Sequence, residues 1–171
     1  VLGDAVTRTP PATAERRPRP PNAPAPAYIE AHIEQGPLLE GAGKTIGVVT
    51  GIQGLRWFNV EVLGKTDHAG TTPLALRRDA MRDAIAIINA IAELARDPTD
   101  TVRFTVGRML VTPNSPNSVP SHVLFSVDLR HPDPATIDRL GRSVEPLARA
   151  AATQCTVKVT PTLHDDPCVF D

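Results

Sequence analysis

The chain is poor in aromatic residues, with one Trp, one Tyr and four Phe among 171 residues. That scarcity argues against a surface on which successive bases stack. Neither charge is in surplus: 18 Lys and Arg face 19 Asp and Glu, a net charge of -1. Without a basic footprint, no nucleic acid is expected as a partner. No apolar run reaches the roughly 20 residues that cross a bilayer, so no membrane is expected either. A basic-then-apolar leader is also missing, which points to the cytoplasm. Cysteine is scarce. Cys155 and Cys168 lack a CxxC spacing, and in that compartment free thiols are expected rather than a disulfide or a zinc half-site.

What is present suffices for a globular core, since 41% of the residues are hydrophobic. The first residue is Val1, and the last, Asp171, follows the apolar pair Val169-Phe170. This leads to the expectation of a piece of a longer chain. Residues 1–27 hold Pro10, Pro11, Pro18, Pro20, Pro21, Pro24 and Pro26. Such density excludes helix interior and central strand and reads as an extended, linker-like segment.

Order is expected from Tyr28, with short strands over residues 28–33 and 45–52. Leu55 to Leu63 alternates, placing Phe58, Val60 and Val62 on one face. Thr72-Pro73 reads as a helix start. Met81, Ala84, Ile85, Ile88, Ala92 and Ala95 form a stripe that Ile87, Ile91 and Leu94 widen. Alternating strands follow over 102–106 and 123–129. The second of these puts Ser126, Asp128 and Arg130 on the face away from Val123, Phe125, Val127 and Leu129. Asp133-Pro134 starts another helix, in which Pro146 is expected to cause a kink or a split. Val157 and Val159 mark a last strand. The order is βαββαβ. The expected fold is therefore α+β: a ferredoxin-like two-layer sandwich, with a four-stranded antiparallel sheet and two helices on one face.

Three strings carry chemistry: His32-Ile33-Glu34-Gln35-Gly36-Pro37, Asp67-His68-Ala69-Gly70-Thr71-Thr72-Pro73, and Asn117-Ser118-Val119-Pro120 running on to Asp128-Leu129-Arg130. The residues alone leave each open to two readings. His32 is a metal ligand or a hydrogen-bonded, half-buried histidine. His68 presents an imidazole to developing negative charge, or it sits on a surface turn. The Arg130 guanidinium suits a carboxylate, or it pairs with Asp128 at the surface. Asn117 is at home in a turn for backbone reasons alone.

Together, HIEQGPLLE, GKTDHAGTTP with RRDA, and PNSPNSVP with VDLRHPD resemble the N-carbamoyl-L-amino-acid hydrolase, allantoate amidohydrolase and β-ureidopropionase group. That group belongs to the binuclear metal-dependent aminoacylase/carboxypeptidase superfamily. The resemblance runs from about Tyr28 to Asp171. It implies a catalytic α/β domain, present here as fragments, interrupted by a lid and dimerisation domain. The implied boundaries are a linker-like segment at 1–27, a catalytic fragment at 28–54, the lid at 55–160, and a return to the catalytic domain at 161–171. It implies further that His32 is a metal ligand and that Gln35 lies near the substrate. His68 would support the oxyanion in the other subunit's site, and Asn117 and Arg130 would hold the substrate carboxylate. The metal would be zinc, manganese, cobalt or nickel.

The other family ligand strings and the glutamate base are not in this sequence. The expectation is thus a parent that cleaves a carbamoyl or ureido C–N bond in a small carboxylate substrate. The 171-residue chain itself is expected to be inactive and to hold no metal stably. A homodimer is expected through the first lid helix and a neighbouring edge strand. The alternatives are a stand-alone interaction module, or a fragment of an aminoacylase- or peptidase-like parent.

Overall fold

A computed structural model describes residue 24 and residues 27–170. They fall into two compact units, divided between Gly47 and Val48. The segment read as linker-like lies, apart from Pro24 and Ala27, outside the described residues.

Among its described residues the first unit has one short helix, α1 (Leu38–Gly41). Glu34 accepts N–H bonds from Leu38 at 3.0 Å and Leu39 at 3.1 Å, satisfying donors that a helix start leaves open. The strand expected over residues 28–33 does not form; these residues are exposed and non-regular. Extended backbone becomes a strand only when a neighbour takes its N–H and C=O groups.

In the second unit the strand expected at 45–52 shrinks to β1 (Gly51–Ile52), which pairs antiparallel with β7 (Cys168–Val169) as a separate ribbon. The main sheet is built on β2 (Gly54–Leu63) and β5 (His122–His131). They pair antiparallel along their whole length, from Gly54 with His131 to Leu63 with His122. β6 (Thr156–Asp165) takes the other edge of β2 and is longer than the Val157–Val159 core suggests. β3 (Arg103–Thr105) and β4 (Met109–Thr112) share the outer edge of β5. One expected edge strand is thus two, making a 5-stranded sheet. The break falls before Arg108, whose N–H donates to Ser126 Oγ at 3.1 Å and whose C=O accepts from Ser126 N at 3.0 Å.

Both long helices, α2 (Ala80–Leu94) and α3 (Pro134–Ala151), bury their apolar faces in one core. The period of two sets Phe58, Val60 and Val62 of β2 against Val123, Phe125, Val127 and Leu129 of β5. The helical period brings down Ala84, Ile87 and Ile91 from α2, and Ile137, Leu140, Val144 and Ala148 from α3. The other sheet face is open. It carries Leu55, Trp57, Asn59 and Glu61 of β2 beside Ser126, Asp128 and Arg130 of β5.

Three helix expectations need correction. Helix α2 starts at Ala80, not at Thr72-Pro73, because Asp79 caps it by accepting from Met81 N at 3.0 Å and Arg82 N at 3.2 Å. Its buried stripe is Ala80, Asp83, Ala84, Ile87 and Ile91. The helix is rotated from the expected face, leaving Ile85 half exposed and Ala92 exposed. Pro146 does not split α3. It lies on the solvent side with Arg142, so the carbonyl deprived of a donor faces water.

Two charged side chains reach into the buried layer. Arg56, 3% exposed, continues the core face of β2 below Phe58. Its guanidinium donates to the Leu55 and Asp165 carbonyls at 2.9 and 2.6 Å, and to Asp138 and Asp166 at 2.6 Å each. It thereby ties β2, α3 and the turn after β6 together. Asp83 accepts from Thr153 N, Gln154 N and Cys155 N at 3.2, 2.9 and 2.8 Å and from Thr153 Oγ1 at 3.1 Å. This pins the turn between α3 and β6 onto α2.

Burial pushes the Asp83 carboxyl up, but the backbone N–H bonds from Gln154, Thr153 and Cys155 outweigh it and hold the group below its usual range. A depressed folded-state value stabilises above the unfolded value and is lost as pH falls through the folded one. Asp83→Asn should therefore lower unfolding free energy at neutral pH by roughly 2–4 kcal/mol, since each lost bond to a charged group is worth about 1.5–3. It should also flatten the fall in stability below about pH 4. Urea denaturation at several pH values checks this; identical curves for the two proteins would contradict it.

Candidate functional site

The pairing of β2 with β5 does not stop at Leu63. Gly64 N donates to Ser121 O at 2.8 Å, Val119 N to Asp67 O at 2.8 Å, and Ala69 N to Asn117 O at 2.9 Å. His68 and Ser118 form an antiparallel bridge. Glycine is required at 64, because a Cβ there would sit 2.0 Å from the Arg78 carbonyl oxygen. Val119, 2% exposed, anchors the turn side. The two loops that carry His68 and Asn117 are thus sewn together at one end of the sheet.

Within this cluster Gly70 N donates to His68 Nδ1 at 3.0 Å. A ring nitrogen that accepts carries no proton, so neutral His68 is the Nε2–H tautomer and offers a donor outward. Arg77 holds the loop closed, through Nε to Thr72 O at 2.9 Å and Nη2 to Ala69 O at 2.5 Å. Asn117 Oδ1 accepts from Ser115 Oγ at 2.7 Å. Its amide nitrogen donates to no protein group among the described residues, so it too is a free donor. Sequence reasoning missed Arg77; its only signal was its place in the string that follows the loop. Two buried polar atoms at this end, Asp67 Oδ2 and His122 Nε2, also lack a protein partner.

Arg130 lies at the other end. From His122 to Arg130, β5 spans about 26 Å at the usual rise of a strand. Asn117 precedes His122, so within one protomer it does not stand beside Arg130. Arg130 is on the open face, as the alternation foretold, and forms a bidentate pair with Asp128. That bond raises the guanidinium above its ordinary value, against the pull of partial burial.

His32 and Gln35 belong to the first unit, and both are exposed. His32 Nδ1 lies 2.6 Å from the Ile33 carbonyl oxygen and donates to it. This leaves Nε2 free, the arrangement metal-binding imidazoles favour. Gln35 holds a left-handed backbone, φ 55. Among the described residues one set of three metal-type donors converges, Asp138, His164 and Asp166. Arg56 Nη2 already sits 2.6 Å from both of those carboxylates, so a guanidinium takes the place of a cation there. His32 is the one metal-ligand candidate of the sequence reading, and among the described residues it belongs to no set of three converging donors.

The family model described as a peptidase dimerisation domain matches residues 50–154. The N-carbamoyl-L-amino acid amidohydrolase of Geobacillus stearothermophilus is 42% identical over 134 residues, covering 78% of this chain and 32% of that protein. The allantoate amidohydrolase of Escherichia coli is 35% identical over 147 residues, covering 86% and 36%. The crystal structure of an amidase of the hydantoinase/carbamoylase family from Burkholderia multivorans superposes with a TM-score of 0.76 at 40% identity, covering 82% and 34%. The chain spans about a third of the length of these relatives. No described helix is long and apolar enough to cross a membrane. On the match across residues 50–154, the chain belongs to the peptidase dimerisation domain family.

Proposed function

We propose that residues 55–160 are a ferredoxin-like lid and dimerisation domain of a metal-dependent amidohydrolase, one that cleaves the carbamoyl or ureido C–N bond of a small carboxylate substrate. The strand order β3/β4–β5–β2–β6, all antiparallel, supports the fold. The β1–β7 ribbon supports insertion into another domain, since it lays the entering and leaving strands side by side. Residues 28–54 and 161–171 then lead out of and back into the catalytic domain.

One observation carries the reading: His68 and Asn117 sit at one end of β5, and Arg130 at the other. A single small substrate is contacted by all three only if two copies of the domain meet over it. A homodimer supplies that. Its proposed surface is α2 with the neighbouring edge strand β4, where Ile85, Met109 and Leu110 are exposed. From one copy, His68 Nε2–H points at the oxygen that gains negative charge, and Asn117 Nδ2 orients the substrate. From the other, Arg130 holds the carboxylate. Gln35 lies near the substrate, and His32 is the residue here that would hold a metal. A divalent metal held there would supply Lewis-acid polarisation of the scissile carbonyl and a water of lowered pKa.

Two outcomes test this. The 15N spectrum of the folded chain should show His68 protonated on Nε2 and not on Nδ1 when neutral. A proton on Nδ1 removes the donor to the oxyanion. In the complete enzyme carrying this segment, His68→Ala and Arg130→Lys should each lower kcat/KM by roughly 10²-fold or more. Unfolded and refolded together, they should recover about a quarter of wild-type activity, because a mixed symmetric dimer regains one intact site of two. A mixture as inactive as its components would show that the three residues do not share a site across copies.

A further inference from the structure

Arg130 is held before any ligand reaches it. Its Nε lies 3.0 Å from Asp128 Oδ1 and 3.1 Å from Oδ2, and its Nη2 lies 2.8 Å from Oδ2. Both side chains are partly shielded, with 38% of Arg130 and 25% of Asp128 exposed. A guanidinium has two edges able to receive a carboxylate in a fork. Asp128 takes the Nε–Nη2 edge. Both Nη1 protons and the outer Nη2 proton are left free.

We propose that Asp128 is a positioning residue: it fixes Arg130 by one edge so that the Nη1–Nη2 edge is the fork offered to the substrate carboxylate. The proposal rests on the reading of Arg130 given above. The surroundings fit it. Sheet register places Trp57 and Thr105 on either side of Asp128, and Leu55 and Arg103 on either side of Arg130. Leu55 and Trp57 form an apolar flank. Arg103 is drawn the other way, its Nη1 3.1 Å from Asp100 Oδ1, so it does not compete for Asp128. The ion pair is also electrically neutral as a unit. It attracts anions weakly and selects by shape, which favours one planar carboxylate over a tetrahedral dianion such as a phosphonate. A guanidinium already held loses less rotamer freedom on binding than a free one.

The test uses the complete enzyme, with an N-carbamoyl-L-amino acid and its neutral carboxamide analogue as paired substrates. Asp128→Asn should raise KM for the carboxylate substrate roughly tenfold or more, as misplaced binding groups do. It should change KM for the carboxamide far less than KM for the carboxylate substrate, and Asp128→Glu should restore part of the loss. Unchanged KM in Asp128→Asn, beside lost discrimination in Arg130→Lys, overturns the role of Asp128 and keeps that of Arg130. Discrimination that survives in Arg130→Lys overturns the carboxylate reading itself. A readout on wild type needs no variant: on saturation with the carboxylate substrate's inert N-alkyl analogue, the Arg130 Nε–H resonance should stay in place while the Nη resonances shift. Movement of Nε–H instead would show that the ligand displaces Asp128, and the proposal fails.

Discussion

The antiparallel pairing of β2 with β5 is the constraint on which the rest of the second unit depends. Its register runs unbroken from Gly54 with His131 to Leu63 with His122. A slip of one residue would put Val60 and Val62 on the face opposite to Phe125 and Val127 and turn Asn59 and Glu61 toward the core. With the register fixed, one face can receive both long helices, and the other is left open with Arg130 upon it. The same pairing continues into the loops as the His68–Ser118 bridge. One ladder therefore decides what is core, which groups lie on the open face and at its end, and how far apart those groups stand.

The charged groups in the buried layer hold the periphery to this centre. Arg56 and Asp83 occupy core-facing positions where an apolar residue would satisfy the period alone. Each closes a joint instead. Arg56 binds the turn through which the chain leaves β6, and Asp83 binds the turn through which it enters. Replacing either removes hydrogen bonds and also strands buried partners without them, so the cost exceeds that of an ordinary surface pair. Cys155, beside Asp83, is pushed up to about 12 by burial and by that carboxylate, which leaves it a poor nucleophile.

Period and caps made the central strands and the Asp133-Pro134 helix start legible in the sequence, because both are local properties. What failed was set by distant partners. Thr72-Pro73 has the chemistry of a helix start, but Arg77 folds back on Thr72 and Ala69, and the nearby Asp79 caps the helix instead. The stripe on α2 was misplaced because its apolar residues cover most of the helix, and only packing against α3, β2 and β5 selects a side. The outward position of Arg130 could be read from alternation. The meeting of His68 with Asn117 could not, since it arises from the pairing of two segments far apart in the chain. Their separation from Arg130 follows from the length of β5, and under the proposed reading that separation requires a second copy.

A crystal structure of the complete enzyme with a non-hydrolysable carboxylate substrate analogue tests that requirement most directly. The expected result is one ligand touched by His68 and Asn117 from one copy, with its carboxylate in the Nη1–Nη2 fork of Arg130 from the other. A ligand contacted by all three residues of a single copy would contradict it.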